Sequence, residues 1–121
     1  MYKLQLKPLS VNKAWLGRKV KSKEYRLYEE QVLTLLPNKI DIVTGPLKLT
    51  ATVAYSSKLA DIDNFLKPFI DCLQKKYNFN DKDIYQISVT KEIVTKGNEY
   101  ISFSLKPYTP VKPVHSNESS I

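Results

Sequence analysis

"LKLTATVAYSSKLADIDNFLKPFIDCLQKKYNFNDKDIYQISVTKEIV", residues 47–94, carries the reading on which the fold turns. In its first part Leu47, Leu49, Ala51, Val53 and Tyr55 face one way and smaller or polar residues the other, the period of a half-buried strand. From Ile62 to Asn78 the period lengthens to that of a helix. Phe65, Leu66, Phe69, Ile70, Cys72, Leu73 and Tyr77 cover a broad arc, so this helix is expected to be mostly buried. Asp63, Lys67, Asp71 and Gln74 fall within about 80° of one another on the opposite side, as one polar stripe. Pro68 is expected to distort the first turn, and Asp63 to cap it. "IYQISVTKEIV" then reads as a further strand.

Outward from this stretch, "YKLQLKP" alternates Tyr2, Leu4 and Leu6 with polar residues and predicts a first strand. "LSVNKAWLGRKVKSK" reads as a long basic loop. Ser22 is placed to cap a helix through "KEYRLYEEQVLTLL", with Tyr25, Tyr28, Val32, Leu35 and Leu36 on one side and Pro37 as its stop. "EYISFSL" is the last strand, and "TKGN" before it suits a hairpin turn joining it to "IYQISVTKEIV". The order β-α-β-α-β-β predicts an α+β domain over residues 1–106, with two helices packed on one face of a mixed sheet. Residues 107–121, with three prolines and little to bury, read as a C-terminal tail.

Composition narrows the chemistry. At 121 residues the chain is long enough for one domain with its own core, and it has no apolar run that could span a membrane. With no signal-peptide pattern evident, a cytoplasmic protein is expected. One cysteine, Cys72, excludes an internal disulfide and a cysteine zinc cage, and one histidine, His115, argues against a histidine-based site. Any catalysis falls to carboxylates, lysines or tyrosines. The net charge of +7 is concentrated: residues 1–26 hold eight Lys or Arg against Glu24 alone, and the remainder balances at eleven and eleven. A basic segment on a neutral body is the footprint of a polyanion partner, or else a solvated basic face.

Two carboxylates two residues apart, Asp61 and Asp63, stand at a strand-to-helix junction and can converge on one hard cation. Asp81 and Asp83 stand just before the next strand, where the returning chain can reach the helix start, and Lys67 is placed to meet a phosphate oxygen or a carboxylate. The pattern is not a calcium loop, because Leu66 replaces the required glycine and Cys72 the bidentate glutamate. The plainer alternative makes Asp63 a cap, Asp61 a loop acid and Lys67 an ion-pair partner of Asp63 and Asp71. A cation held by such acids activates water and offsets charge on a phosphodiester, while the basic segment grips the backbone.

The chain resembles the RusA family of Holliday junction resolvases. "DIDNFLKPFIDCL" is similar to the family's D-x-D-N-x-x-K-x-x-x-D-x-L core at Asp61, Asp63, Asn64, Lys67, Asp71 and Leu73. "NDKDIYQISVTK", "PLSVN" and "KSKEYRLY" resemble three further family stretches, so the likeness spans roughly residues 1–105. It implies a small dimeric endonuclease, dependent on Mg2+ or Mn2+, that acts on four-way DNA and is often encoded by phages or prophages. It further implies that Asp61, Asp63 and Asp81 hold the metal, that Lys67 is the essential lysine, and that Asn64 and Asp71 support the site. Asn80 departs from the family's usual acid pair. Aligning Asp81 with the catalytic acid keeps Ile84 and Tyr85 in register, whereas another register gives that role to Asp83. Asn12, Lys13, Arg18, Lys19, Lys21 and Lys23 are the expected DNA contacts, and Trp15 a core or dimer anchor or a wedge at the junction. A non-catalytic DNA-binding protein of the same fold, and a broader flap or single-strand nuclease, are the alternatives.

Overall fold

The computed structural model describes residues 1–9, 21–42 and 44–110. The elements follow the expected order: β1 (Tyr2–Leu4), α1 (Lys23–Leu35), β2 (Leu47–Tyr55), α2 (Leu66–Tyr77), β3 (Ile84–Ile93) and β4 (Tyr100–Pro107). A short 3-10 turn, Asp81–Asp83, leads into β3. The four strands form one mixed sheet in the order β1-β4-β2-β3. β3 runs parallel to β2, and β4 runs antiparallel to both β2 and β1. The α+β architecture is as the sequence predicts.

The core lies between the helices and one sheet face. Leu47, Leu49, Ala51 and Val53 of β2 and Ile101, Phe103 and Leu105 of β4 are buried together with Tyr25, Tyr28 and Val32 of α1 and Phe69, Cys72 and Leu73 of α2. The Phe69 ring meets Phe103 edge-on at 5.4 Å and lies 6.0 Å from Phe65. Ser22 caps α1, its hydroxyl accepting from the Tyr25 N–H at 3.0 Å, and the helix ends before Pro37. Leu36 is buried as expected, whereas Leu35, expected on the same side of α1, is exposed.

The expected hairpin between β3 and β4 does not form. A turn is present: Asn98 N–H donates to Thr95 C=O at 2.9 Å, and Gly97 takes the positive φ of 98°. The strands it joins are separated by β2. α2 delivers β3 parallel to β2, and the Val94 N–H donates to Tyr55 C=O, which holds the end of β3 on that neighbour. β4, with three buried apolar residues, takes the inner position between β1 and β2, and the more exposed β3 is left at the edge. β4 runs to Pro107, and the Tyr108 N–H donates to Pro46 C=O, so the chain just beyond residue 106 is tied to the sheet.

Polar contacts lock α1 to α2. Tyr77 Oη donates to Pro37 C=O, Lys76 Nζ to Leu33 C=O, and Glu29 accepts from Lys21 at 2.8 Å and Lys75 at 3.3 Å. Burial alone would raise the Glu29 carboxyl, but the two lysines outweigh it and hold it below the ordinary value of 4.5. A depressed carboxylate stabilises the fold above its unfolded pKa, and that contribution is lost as pH falls through the folded value. Glu29→Gln is therefore expected to cost about 1 kcal/mol at pH 7. Urea midpoints at pH 7 and pH 3 check this, since the gap between the two proteins should close at the acidic pH.

Candidate active site

The loop after β2 carries Asp61 and Asp63, and α2 carries Lys67 and Asp71. α2 begins at Leu66, three residues later than the stripe Asp63/Lys67/Asp71 suggested, and Phe65 occupies its N-cap without a side-chain cap bond. Pro68 lies in the first turn, where its missing N–H costs nothing, and it removes the donor that would extend the helix back to Asn64. Asp61 to Phe65 instead form turns: Asn64 N–H donates to Asp61 C=O at 3.4 Å and Leu66 N–H to Asp63 C=O at 3.0 Å. Asp63 is thus not a helix cap. Asp61 and Asp63 are both exposed, and Asn64 Nδ2 donates to Asp61 Oδ2 at 3.4 Å.

Because Asp63 lies outside the helix, Lys67 forms no ion pair with it among the described residues. Lys67 Nζ reaches one turn onward to Asp71 Oδ1 at 2.9 Å, and across to Asp81 Oδ2 at 3.9 Å. The bond to Asp71, with the charges of Asp71 and Asp81, raises the Lys67 pKa against a smaller opposing effect of burial. The lysine is fully protonated at neutral pH. Asp81 therefore faces the lysine of the centre. Asp83 lies elsewhere, in the lining of a separate cavity of about 510 Å³ with Tyr77, Phe79 and Leu47.

Three residues of this neighbourhood were not singled out in the sequence. Tyr25, read there as an apolar position of α1 and as part of the family-like stretch "KSKEYRLY" but given no role in the site, is buried and donates its hydroxyl to Asp71 Oδ2 at 2.9 Å. Burial first, and then that bond, keep its phenol un-ionised far above the ordinary value. Asp71 is thereby held from two sides, by Tyr25 and by Lys67. Lys91 of β3 donates to the carbonyls of Lys58 and Ala60 and so fixes the loop that leads to Asp61. Tyr55 ends β2 with a buried hydroxyl. Burial pushes its pKa up to about 12, and the charges of Asp63 and Asp61 add to the rise. Alternation shows which face of a strand or helix Tyr25, Tyr55 and Lys91 occupy, but not what their polar tips meet.

Among the described residues no three acidic, histidine or cysteine side chains gather closely enough to hold a metal ion. The donor types still suit a hard divalent cation, because every candidate ligand is a carboxylate and the buried thiol of Cys72 is pushed up to about 12 by desolvation. Of the expected DNA contacts, Asn12, Lys13, Arg18 and Lys19, like Trp15, lie outside the described residues. Lys21 is turned onto Glu29 and over the Tyr25 ring, and Lys23 is exposed on the first turn of α1. No helix among the described residues is long and apolar enough to cross a membrane.

A protein-family model described as endodeoxyribonuclease RusA matches residues 7–102 of the 121. No curated protein matches the chain.

Proposed function

The chain belongs to the RusA family of endodeoxyribonucleases, and from that premise we propose that it is a homodimeric, magnesium-dependent enzyme that resolves four-way DNA junctions by paired symmetric nicks. The observation that carries the reading is the sequence of contacts from Tyr25 through Asp71 and Lys67 to Asp81, with Lys67 and Asp71 on the helix that follows the exposed pair Asp61 and Asp63 in the chain. A solvated helix face would not use a buried tyrosine to orient an acid that in turn orients an exposed lysine.

In this reading Asp61, Asp63 and Asp81 hold the divalent cation, magnesium or manganese. When bound, the cation supplies Lewis acidity and offsets negative charge at the phosphate. One of the acids takes a proton from the attacking water. The water oxygen bonds to phosphorus, the P–O3′ bond breaks, and the 3′ oxygen leaves with a proton. The products are a 5′-phosphate and a 3′-hydroxyl. Lys67, kept protonated, stabilises the charge that develops on the phosphate oxygens. Asn64 steadies Asp61, and Asp71 fixes the lysine. The basic segment, with Asn12, Lys13, Arg18, Lys19, Lys21 and Lys23, holds the backbone in a salt-dependent manner. Two-fold symmetry places the same centre on two opposed strands, as resolution into ligatable duplexes requires. An enzyme of this kind works in the cytoplasm of a bacterium or of a phage-infected host.

Tyr25→Phe tests the positioning chain. It is expected to lower the cleavage rate at saturating junction by about tenfold through misplacement of Lys67, with junction affinity unchanged and a loss of about 1 kcal/mol in stability. A rate fall no larger than the stability change explains would make Tyr25 structural only. Substrate competition tests the function itself. Unlabelled four-way junction is expected to suppress cleavage of a labelled junction far better than equal amounts of duplex, flap or RNA. Equal suppression by flap or single strand would assign the chain a broader nuclease activity.

A further inference from the structure

The edge strand β3 breaks its own pattern at Lys91. Register sets Ile87, Val89, Lys91 and Ile93 beside Leu49, Ala51, Val53 and Tyr55 of β2, and Leu49, Ala51 and Val53 belong to the buried core. A lysine therefore stands in a row that otherwise holds apolar side chains. An inward-pointing charge is one way an edge strand avoids pairing with another chain. Such a charge needs no particular partner, whereas Lys91 has two. Half-buried, it donates from Nζ to the Lys58 carbonyl at 3.0 Å and to the Ala60 carbonyl. Hydrogen bonds from a charged donor are about twice as strong as neutral ones.

Covalent geometry carries this contact to the acid pair. The Ala60 carbonyl belongs to the peptide unit that ends at the Asp61 Cα, and that unit is rigid and planar. Holding its oxygen sets where the Asp61 backbone begins. On the far side the Asn64 N–H and Nδ2 donate to the carbonyl and carboxylate of Asp61, and the Leu66 N–H donates to the Asp63 carbonyl. Before Ala60 the chain is exposed over residues 56–59, where the Leu59 N–H donates to Ser57 Oγ and the Ala60 N–H to the Ser57 carbonyl. Those bonds close the turn on itself. Lys91 ties it to the sheet, one peptide unit short of Asp61.

We infer that Lys91 is a positioning residue for the acid pair, holding the loop so that Asp61 and Asp63 present their carboxylates to the cation and the phosphodiester. The inference rests on the nuclease reading above and adds to it a residue on a strand that carries none of the acids. Groups that orient metal-holding side chains matter nearly as much as the side chains themselves.

Lys91→Met keeps the aliphatic stem and removes the donors. In the full chain without metal, the Asn64 and Leu66 amides are expected to exchange about tenfold faster while those of β2 and β4 stay protected. Mn2+, titrated calorimetrically, is expected to bind about tenfold more weakly. Single-turnover cleavage at saturating junction should fall about tenfold or more, with junction affinity within about twofold of the parent chain. Lys91→Gln, which keeps the edge polar but cannot hold both carbonyls, is expected to behave alike. Lys96→Gln removes a charge from the exposed turn after β3 and should change none of these. Parent-level cleavage and Mn2+ affinity in Lys91→Met, or equal losses in Lys96→Gln, would overturn the inference, as would slower cleavage with unchanged exchange at Asn64 and Leu66. Failure of the unsubstituted chain to cut junctions would contradict the nuclease reading itself, and the exchange and Mn2+ measurements would then still decide whether Lys91 positions the acids.

Discussion

Asp63→Asn is expected to lower junction cleavage by about a thousandfold or more, the scale of losing a group that holds a catalytic cation or a developing charge. Junction affinity should stay within about twofold or tighten slightly, because one negative charge is removed from a surface that meets a polyanion. The fold should not suffer. Asp63 is exposed and its side chain neither caps α2 nor pairs with Lys67, so the thermal midpoint is expected to move by no more than surface substitutions usually do. Single-turnover cleavage and a binding titration on the same preparation separate these effects. A variant that cuts as well as the parent chain would make the acid pair structural.

Phe69→Ala is expected to cost about 3–5 kcal/mol, the largest stability loss of any single truncation considered for this chain. Phe69 is fully buried, meets Phe103 edge-on and Phe65 at 6.0 Å, and seats α2 on β4. Its removal leaves a cavity where the helix that carries Lys67 and Asp71 rests on the sheet. The urea midpoint should fall by the corresponding amount with little change in slope. Cleavage at low temperature, where the folded fraction is restored, is expected to recover in part. A loss below about 1 kcal/mol would mean that the core closes over the gap.

How far the sequence could be read depended on how local each signal was. The alternation of Leu47, Leu49, Ala51 and Val53 identifies a half-buried strand, because a strand between two others must hide one face. Ser22 and Pro37 bracket α1 for equally local reasons. "TKGN" correctly marks where the chain reverses, but a turn says nothing about which strands pair. The neighbour of β3 was chosen by the crossover through α2 and by the apolar weight of β4, both of which are non-local. The helical stripe of Asp63, Lys67 and Asp71 assumed a helix starting at Asp63. Pro68 shortened it, so Asp63 moved off the helix and Lys67 turned to Asp71 and Asp81. Register alone did not separate Asp81 from Asp83. In space the 3-10 turn brings Asp81 within 3.9 Å of Lys67 and places Asp83 in the lining of a separate cavity. The partnership of Tyr25 and Asp71 spans 46 positions and has no local signature.

The most direct test is cleavage of a synthetic mobile four-way junction by the unsubstituted chain, with magnesium and with EDTA, each of the four strands labelled in turn. The account predicts two nicks at symmetric positions in opposed strands, each leaving a 5′-phosphate, present with magnesium and absent with EDTA. Tight binding with no cleavage in magnesium or manganese, or nicks that persist in EDTA, would contradict it.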